Sequence, residues 1–328
     1  MEDIYEKILW DGYGLRYRGG SRTRSGLVCR TDAGLRELKK PRGNAENLRL
    51  AYDVKAQLRQ NGFPSVSRLY PAQDGEPFYR KDGILYTLED PMPSAPLAEE
   101  SAADFIKGAE TLGRLHAAAK GLQSPHARWE KDRLPGLYAR RRGELAKIKR
   151  RIDHKSGYDP IDLLILGYYK PCMEQTAEAE ELLERGGYTA LAEQTEQNGG
   201  FCHNAYKGEN LRLDDSGSIF VAGFDRCISE IPLADLAAYL RRYMKKTDGN
   251  GGGAEKMLAA YSRHCPLSAS DIILLEGMNL YPEKFLRLVN QYYNKRRACV
   301  SPAMQERLTA AAGEQENGRR LREILQGI

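Results

Sequence analysis

The sequence predicts an α+β fold, with a small strand-rich segment followed by a large, mostly helical one. Three observations carry this expectation. Short strand-like runs separated by turns fill the stretch before Asp90. Helical periodicity dominates everything after it. Between the two, Asp90-Pro91-Met92-Pro93-Ser94-Ala95-Pro96 places three prolines in six residues, the composition of a linker.

In chain order, residues 25–31 and 35–39 read as strands flanking Thr31-Asp32-Ala33-Gly34, a hairpin turn. Residues 44–61 form the one helix expected in this part, with Leu48, Ala51, Tyr52 and Leu58 near helical spacing and Gly62 as its stop. Strand-like pieces follow at 66–69, 76–80 and 84–89. Beyond the prolines, Phe105, Ile106, Ala109, Leu112, Leu115 and Ala119 mark a helix over 101–120. Helical patterns recur at 133–152, 161–184, 232–246, 254–264, 268–280, 282–295 and 302–324. Only 200–202, 210–213 and 219–224 look like strands in this half. The Gly-rich stretch Asp248-Gly249-Asn250-Gly251-Gly252-Gly253 reads as a loop.

Composition sets outer limits. The 328 residues correspond to about two domains or one large one. A hydrophobic content of 41% excludes a mainly disordered chain. The 50 Lys+Arg against 45 Asp+Glu give +5, too small an excess to imply a polyanion partner, so neither nucleic acid nor membrane is expected. The longest apolar run, near 163–166, falls far short of the roughly 20 residues a membrane span needs. Met1-Glu2-Asp3-Ile4 is acidic and unlike a signal peptide, so cytoplasmic synthesis is expected. The cysteines at 29, 172, 202, 227, 265 and 299 form no CxxC pair and have no zinc-ligand spacing, so free thiols are expected.

The informative segment is His203-Asn204-Ala205-Tyr206-Lys207-Gly208-Glu209-Asn210, followed by Ile219-Phe220-Val221-Ala222-Gly223-Phe224-Asp225 and then Asp235. It resembles the core of the aminoglycoside phosphotransferase and choline kinase superfamily, and more closely the CotS-type spore coat proteins of endospore-forming bacteria. Thr31-Asp32-Ala33-Gly34 before Leu38-Lys39, Leu112-Gly113-Arg114-Leu115-His116 and Tyr281-Pro282-Glu283-Lys284-Phe285 extend the likeness in order along the chain. The resemblance implies a bilobal protein kinase-like fold. Its small β-rich lobe with one helix would span 1–91, and its helical lobe would span 92–328, with the catalytic-type loop at 201–226.

The family pattern is His-x-Asp-x-x-x-x-Asn, then an Asp that holds Mg²⁺. Here His203 and Asn210 match the ends, but the base position is Ala205 and the metal position is Gly223. A methyl group cannot accept a proton and glycine cannot coordinate a cation, so no catalytic group is intact by this reading. Asn210 and Asp225 are the remaining candidate metal ligands. The resemblance assigns phosphate contact to Lys39, with Lys40 leaving the register open by one. Its acidic partner should lie on the next helix, which offers Glu46 and Asp53. Gly19-Gly20 and Gly26, with arginines interleaved, read better as a strand turn than as a phosphate loop.

Other features have plain readings. His116 falls on an apolar helix face and is expected to be a packing histidine. His203 and Asp235 are expected to hold the loop structurally. Arg140-Arg141-Arg142 through Arg151 is expected to be a solvated face paired with Glu144 and Asp153, rather than a dock for an acidic protein or nucleic acid. Most of the nineteen tyrosines are expected in the core.

The resemblance and the two absent carboxylates together predict a pseudokinase. It would be a kinase-like binding module in spore coat assembly, with other coat proteins as partners. Two alternatives stand beside it. One is a residually active ATP-dependent phosphotransferase, acting on a coat protein or a small hydroxyl compound, with Asp225 holding the metal. The other is a switch that binds ATP, with or without Mg²⁺, and does not turn it over. Restoring aspartate at 205 and 223 together is expected to raise nucleotide affinity in Mg²⁺.

Overall fold

The computed structural model describes residues 2–23, 26–93, 95–249, 251–294 and 302–328. Ser25, Ser94, Asn250, Lys295 and Cys299 lie outside the described residues. The chain folds into two compact units, 1–129 with 195–235 and 130–194 with 236–328. This division differs from a lobe boundary at 91/92.

The first unit opens with helix α1 (Glu2–Tyr13), then strands β1 (Tyr17–Arg22), β2 (Gly26–Thr31) and β3 (Gly34–Lys39). Helix α2 (Ala45–Gln60) and strands β4 (Leu69–Tyr70), β5 (Tyr79–Lys81) and β6 (Ile84–Glu89) follow. The strands form an antiparallel sheet in the order β1-β2-β3-β6-β4, with β5 paired to the start of β6. Thr31 pairs with Gly34 across a two-residue Asp32-Ala33 turn, the expected hairpin. Gly34 adopts φ +97°, a conformation that favours glycine.

The first 91 residues hold two helices rather than one. The missed helix, α1, buries Ile8 and Leu9 completely against Leu27, Cys29, Leu38, Tyr86 and Leu88 of the sheet. Each such burial contributes roughly 1.5–3 kcal/mol. The acidic opening hid the adjacent apolar pair Ile8-Leu9, one turn after Ile4-Tyr5. Helix α2 is bounded as its sequence requires. The Asn44 side chain caps its N-terminus by accepting from Asn47 N–H, and Gly62 turns the chain away at φ +79°.

The proline segment does more than link. Strand β7 (Ala95–Pro96) pairs with β8 (Leu211–Leu213), which pairs with β9 (Ile219–Val221), making a small second sheet. Helix α3 (Ala102–Ala118) begins at Ser101 in a capping box with Asp104. The expected strand at 66–69 splits into an isolated bridge, Val66 to Val221, and Leu69 at the start of β4, and that at 200–202 shrinks to a bridge from Cys202 to Ile228.

Helices α4 (Arg133–Asp153), α5 (Pro160–Arg185) and most of α6 (Tyr188–Asn198) belong to the second unit. Helix α7 (Leu233–Lys246), mostly in this unit, precedes α8 (Ala254–Ser262), α9 (Ala269–Leu280), α10 (Glu283–Asn294) and α11 (Pro302–Gln326). Helix α5 packs on α4 and α9, and α11 packs on α9 and α10. A Cβ at Gly277 would lie 3.0 Å from Leu182 Cβ, so glycine permits the close approach of α9 to α5. Tyr138 and Tyr281 stack with ring centroids 3.5 Å apart. The basic helix α4 pairs internally, Arg141 with Glu144 at 2.7 Å and Lys149 with Asp153 at 2.6 Å. Among the described residues, no helix is long and apolar enough to cross a membrane.

Candidate functional site

The loop from Cys202 to Asn210 lies in the first unit and is held by two buried carboxylates, Glu99, which accepts from Gly208 N–H at 2.7 Å, and Asp235 on α7. Asp235 Oδ2 accepts from His203 N–H, and its Oδ1 accepts from Asn204 N–H at 2.8 Å. His116 Nε2 on α3 lies 3.3 Å from Oδ2. Burial alone would raise the pKa of Asp235. The hydrogen bond with His116 and the backbone N–H of Asn204 outweigh burial and hold it below the usual range. His203 is itself fully buried, with Nε2 2.8 Å from the Ala222 carbonyl. A carbonyl only accepts, so Nε2 carries the proton. Burial lowers the His203 pKa and keeps the ring neutral near pH 7. Asn204 takes φ +57°, which sets the turn toward Ala205.

Two residues on, the base position presents only the methyl of Ala205. Asn210 Nδ2 donates to the Ala205 carbonyl at 2.8 Å, and the Asn210 carbonyl accepts from Ala222 N–H at 2.7 Å. Gly223 then takes φ +83°. A Cβ built there would lie 2.6 Å from Asn210 Nδ2 and 2.8 Å from its Cγ. The Asn210 amide therefore fills the space that a side chain at 223 would need.

Asp225 lies in the short turn Phe224–Arg226 and is tied to the entry of α2. Its Oδ2 accepts from Arg42 N–H at 2.8 Å, and a Cβ at Gly43 would lie 2.2 Å from its carbonyl oxygen. Asn47 Nδ2 of α2 donates to the Cys227 carbonyl at 3.1 Å. These residues offer few oxygens to a Mg²⁺ ion, which takes near-octahedral oxygen ligation: Gly223 offers none, Asn210 donates through Nδ2 to Ala205 and would have only its amide oxygen for a cation, and one oxygen of Asp225 accepts from Arg42. Among the described residues, no three His, Cys, Asp or Glu side chains group as a metal site.

The lysine strand carries an arrangement that sequence reasoning missed. Lys39 Nζ on β3 pairs with Glu37 at 3.1 Å and with Glu89 of β6 at 3.3 Å, while the adjacent Lys40 stacks over Tyr86. Glu46 does not reach Lys39. It pairs with Arg49 one turn on, at 2.5 Å, and with Arg128 at 3.3 Å. Asp53 instead accepts from Ser124 Oγ at 2.5 Å. On the inner face of α2, Lys55 is 4% exposed and donates to Glu89 Oε2 and Ser67 Oγ, both at 2.9 Å. Ser67 Oγ donates to the same Glu89 oxygen at 2.5 Å. Burial would raise the Glu89 pKa, but two ammonium groups and a hydroxyl bring it far below the usual carboxylate range. For Lys39, the two carboxylates outweigh burial and raise the pKa; for Lys55, burial dominates and lowers it. One signal was available. Lys55 falls in the apolar stripe Leu48, Ala51, Leu58, where a lysine requires a buried carboxylate.

The whole fold has known counterparts. The structure is similar to an aminoglycoside phosphotransferase from Alicyclobacillus acidocaldarius, with TM-score 0.81 and 18% identity, over 95% of this chain and 92% of that one. It also resembles amicoumacin kinase hAmiN in complex with AMP-PNP, Ca²⁺ and Ami, at TM-score 0.58 and 16% identity over 96% and 93%. A choline kinase from Cryptosporidium parvum matches at TM-score 0.54 and 13% identity over 100% and 97%. These likenesses establish a kinase-like α+β fold. The family model described as "Spore coat putative kinase YutH" matches residues 6–324. With nearly the whole length matched, the chain belongs to that family of kinase-like spore coat proteins.

Proposed function

We propose that the chain is a pseudokinase, a spore coat component that uses the kinase-like fold to bind partners rather than to transfer phosphate. One observation carries the reading: Asn210 closes on Ala205 and fills the space beside Gly223, where family enzymes would place a metal-binding aspartate. Base and metal ligand are then absent together, each commonly worth about 10² or more in rate. In this reading His203 and Asp235 are structural, the functional lobes divide at 91/92, and the partners are other coat proteins at the spore coat. Incubation with labelled ATP and Mg²⁺ or Mn²⁺ is expected to give no transfer to coat-protein or small hydroxyl acceptors. Specific transfer abolished by Asn210→Ala would overturn the proposal.

An ATP-binding switch is the second reading. It is supported by Lys39 at the end of β3 and by the AMP-PNP held by the amicoumacin kinase of the same fold. Against it, Lys39 is already neutralised by Glu37 and Glu89. Stabilisation of the folded chain by millimolar ATP without turnover would favour this reading over a nucleotide-independent module. The residual phosphotransferase reading would use the Asp225 carboxylate, one oxygen of which already accepts from Arg42 N–H.

A further inference from the structure

A cavity lies in the helical unit, among residues with no part in the loop described above. The C-terminal half of α7, the α9–α10 junction and α11 enclose a cavity of about 190 Å³. A water occupies about 30 Å³ of liquid, so the space exceeds a single buried water. Tyr281 and Phe285, both buried, form part of its wall. Its charged lining is Arg241, Lys245, Lys284 and Arg287 against only Glu283 and Glu314.

The pairing within this lining is lopsided. Lys245 and Lys284 both contact the same oxygen, Glu314 Oε1, at 2.7 and 2.6 Å, so two ammonium groups share one carboxylate. Arg241 is fixed by Glu283 at 2.8 Å and by the Met278 carbonyl at 2.7 Å. Arg287 is exposed and makes no ion pair among the described residues. Two positive charges remain uncompensated around a concave, partly aromatic space. Cations held in place before binding favour an anion with several oxygens.

We infer that this cavity binds a compact oxyanion bearing two negative charges, a phosphate or a dicarboxylate, between Lys245, Lys284 and Arg287. The inference is independent of whether the chain binds nucleotide or transfers phosphate. Calorimetric titration of the full chain with inorganic phosphate, and separately with malonate, tests it at ionic strength held constant with sodium chloride. Saturable binding in the millimolar range or tighter is expected, and the tighter of the two anions identifies the class. Arg287→Ala and Lys245→Met should each weaken binding by about tenfold, the loss of one charge-assisted hydrogen bond. Arg287 is exposed and makes no ion pair among the described residues, so its variant keeps the folded baseline, which a thermal melt verifies. Absence of saturable binding by either anion would overturn the inference. So would binding unchanged in both variants, which would place the anion elsewhere on the chain.

Discussion

Asn210 and Gly223 together decide what the site can do. With φ +83° at Gly223 and the Asn210 amide 2.6 Å from where a Cβ would stand, an aspartate at 223 meets both backbone strain and a steric overlap. Strain of this kind costs about 1–3 kcal/mol, and overpacking adds a similar amount. Gly223→Asp is therefore expected to lower stability by about 2–6 kcal/mol in urea denaturation. Combined with Ala205→Asp, it should leave Mg²⁺-nucleotide affinity no higher than wild type. This reverses the expectation from sequence alone that restoring both aspartates revives binding. A rise in calorimetric affinity for Mg²⁺-ATP in the double variant would show that Asn210 swings out readily. Ala205 and Gly223 were legible at the positions the resemblance singles out, because that is a matter of residue identity. The inward turn of Asn210 was not, because it depends on space that only the folded backbone defines.

At the scale of elements, β3, β6 and α2 are joined by a buried charge cluster rather than by apolar packing alone. Glu89 Oε2 receives Lys39, Lys55 and Ser67. Removing that acceptor leaves Lys55, almost wholly buried, facing a neutral group, and Lys39 with Glu37 alone. Glu89→Gln is expected to cost about 3–5 kcal/mol, a large part of a typical 5–15 kcal/mol total. Lys55→Met should cost distinctly less, since Glu89 keeps Lys39 and Ser67 and methionine fills the space with apolar volume. The pH dependence has a definite sign. Glu89 is depressed below its ordinary 4.5 in the folded chain, so its stabilisation is complete above that value and is lost as pH falls below it. Urea midpoints measured from pH 7 downward should fall below about pH 4.5 in wild type and fall less in Glu89→Gln. Equal slopes in the two proteins would remove Glu89 from this role. The resemblance placed the acidic partner on the helix after the lysine strand, which offers Glu46 and Asp53. The true partner comes from β6, fifty residues later, through antiparallel pairing of Lys39 with Thr87 and of Glu37 with Glu89. Sheet register, not proximity along the chain, set the pair.

For the molecule as a whole, the order of folding units departs from the order of the chain. Residues 195–235 belong with 1–129, although 65 residues intervene. The first 91 residues therefore depend on later ones within their own unit. Val221 N–H donates to the Ser65 carbonyl at 2.8 Å, Arg42 N–H to Asp225, and Asn47 to the Cys227 carbonyl. Asn61 Nδ2 donates to the Ala118 carbonyl at 2.7 Å, and Lys55 lies 5.7 Å from the Phe224 ring. A chain ending at 91 would lose every one of these contacts at once. It would also uncover Val66, 1% exposed and bridged to Val221 in the full chain, and Lys55, which lies beside Phe224. Small domains already bury a lower fraction of their surface, so little stability is left to absorb such losses. Expressed alone, residues 1–91 should show no cooperative thermal transition by circular dichroism and weak amide protection in α2, whereas the full chain melts cooperatively. A sharp, reversible melt of the fragment would mean that β1–β6 with α1 and α2 form a self-sufficient domain. The contacts from 195–235 would then serve to place Asp225 and Asn210 rather than to support the sheet.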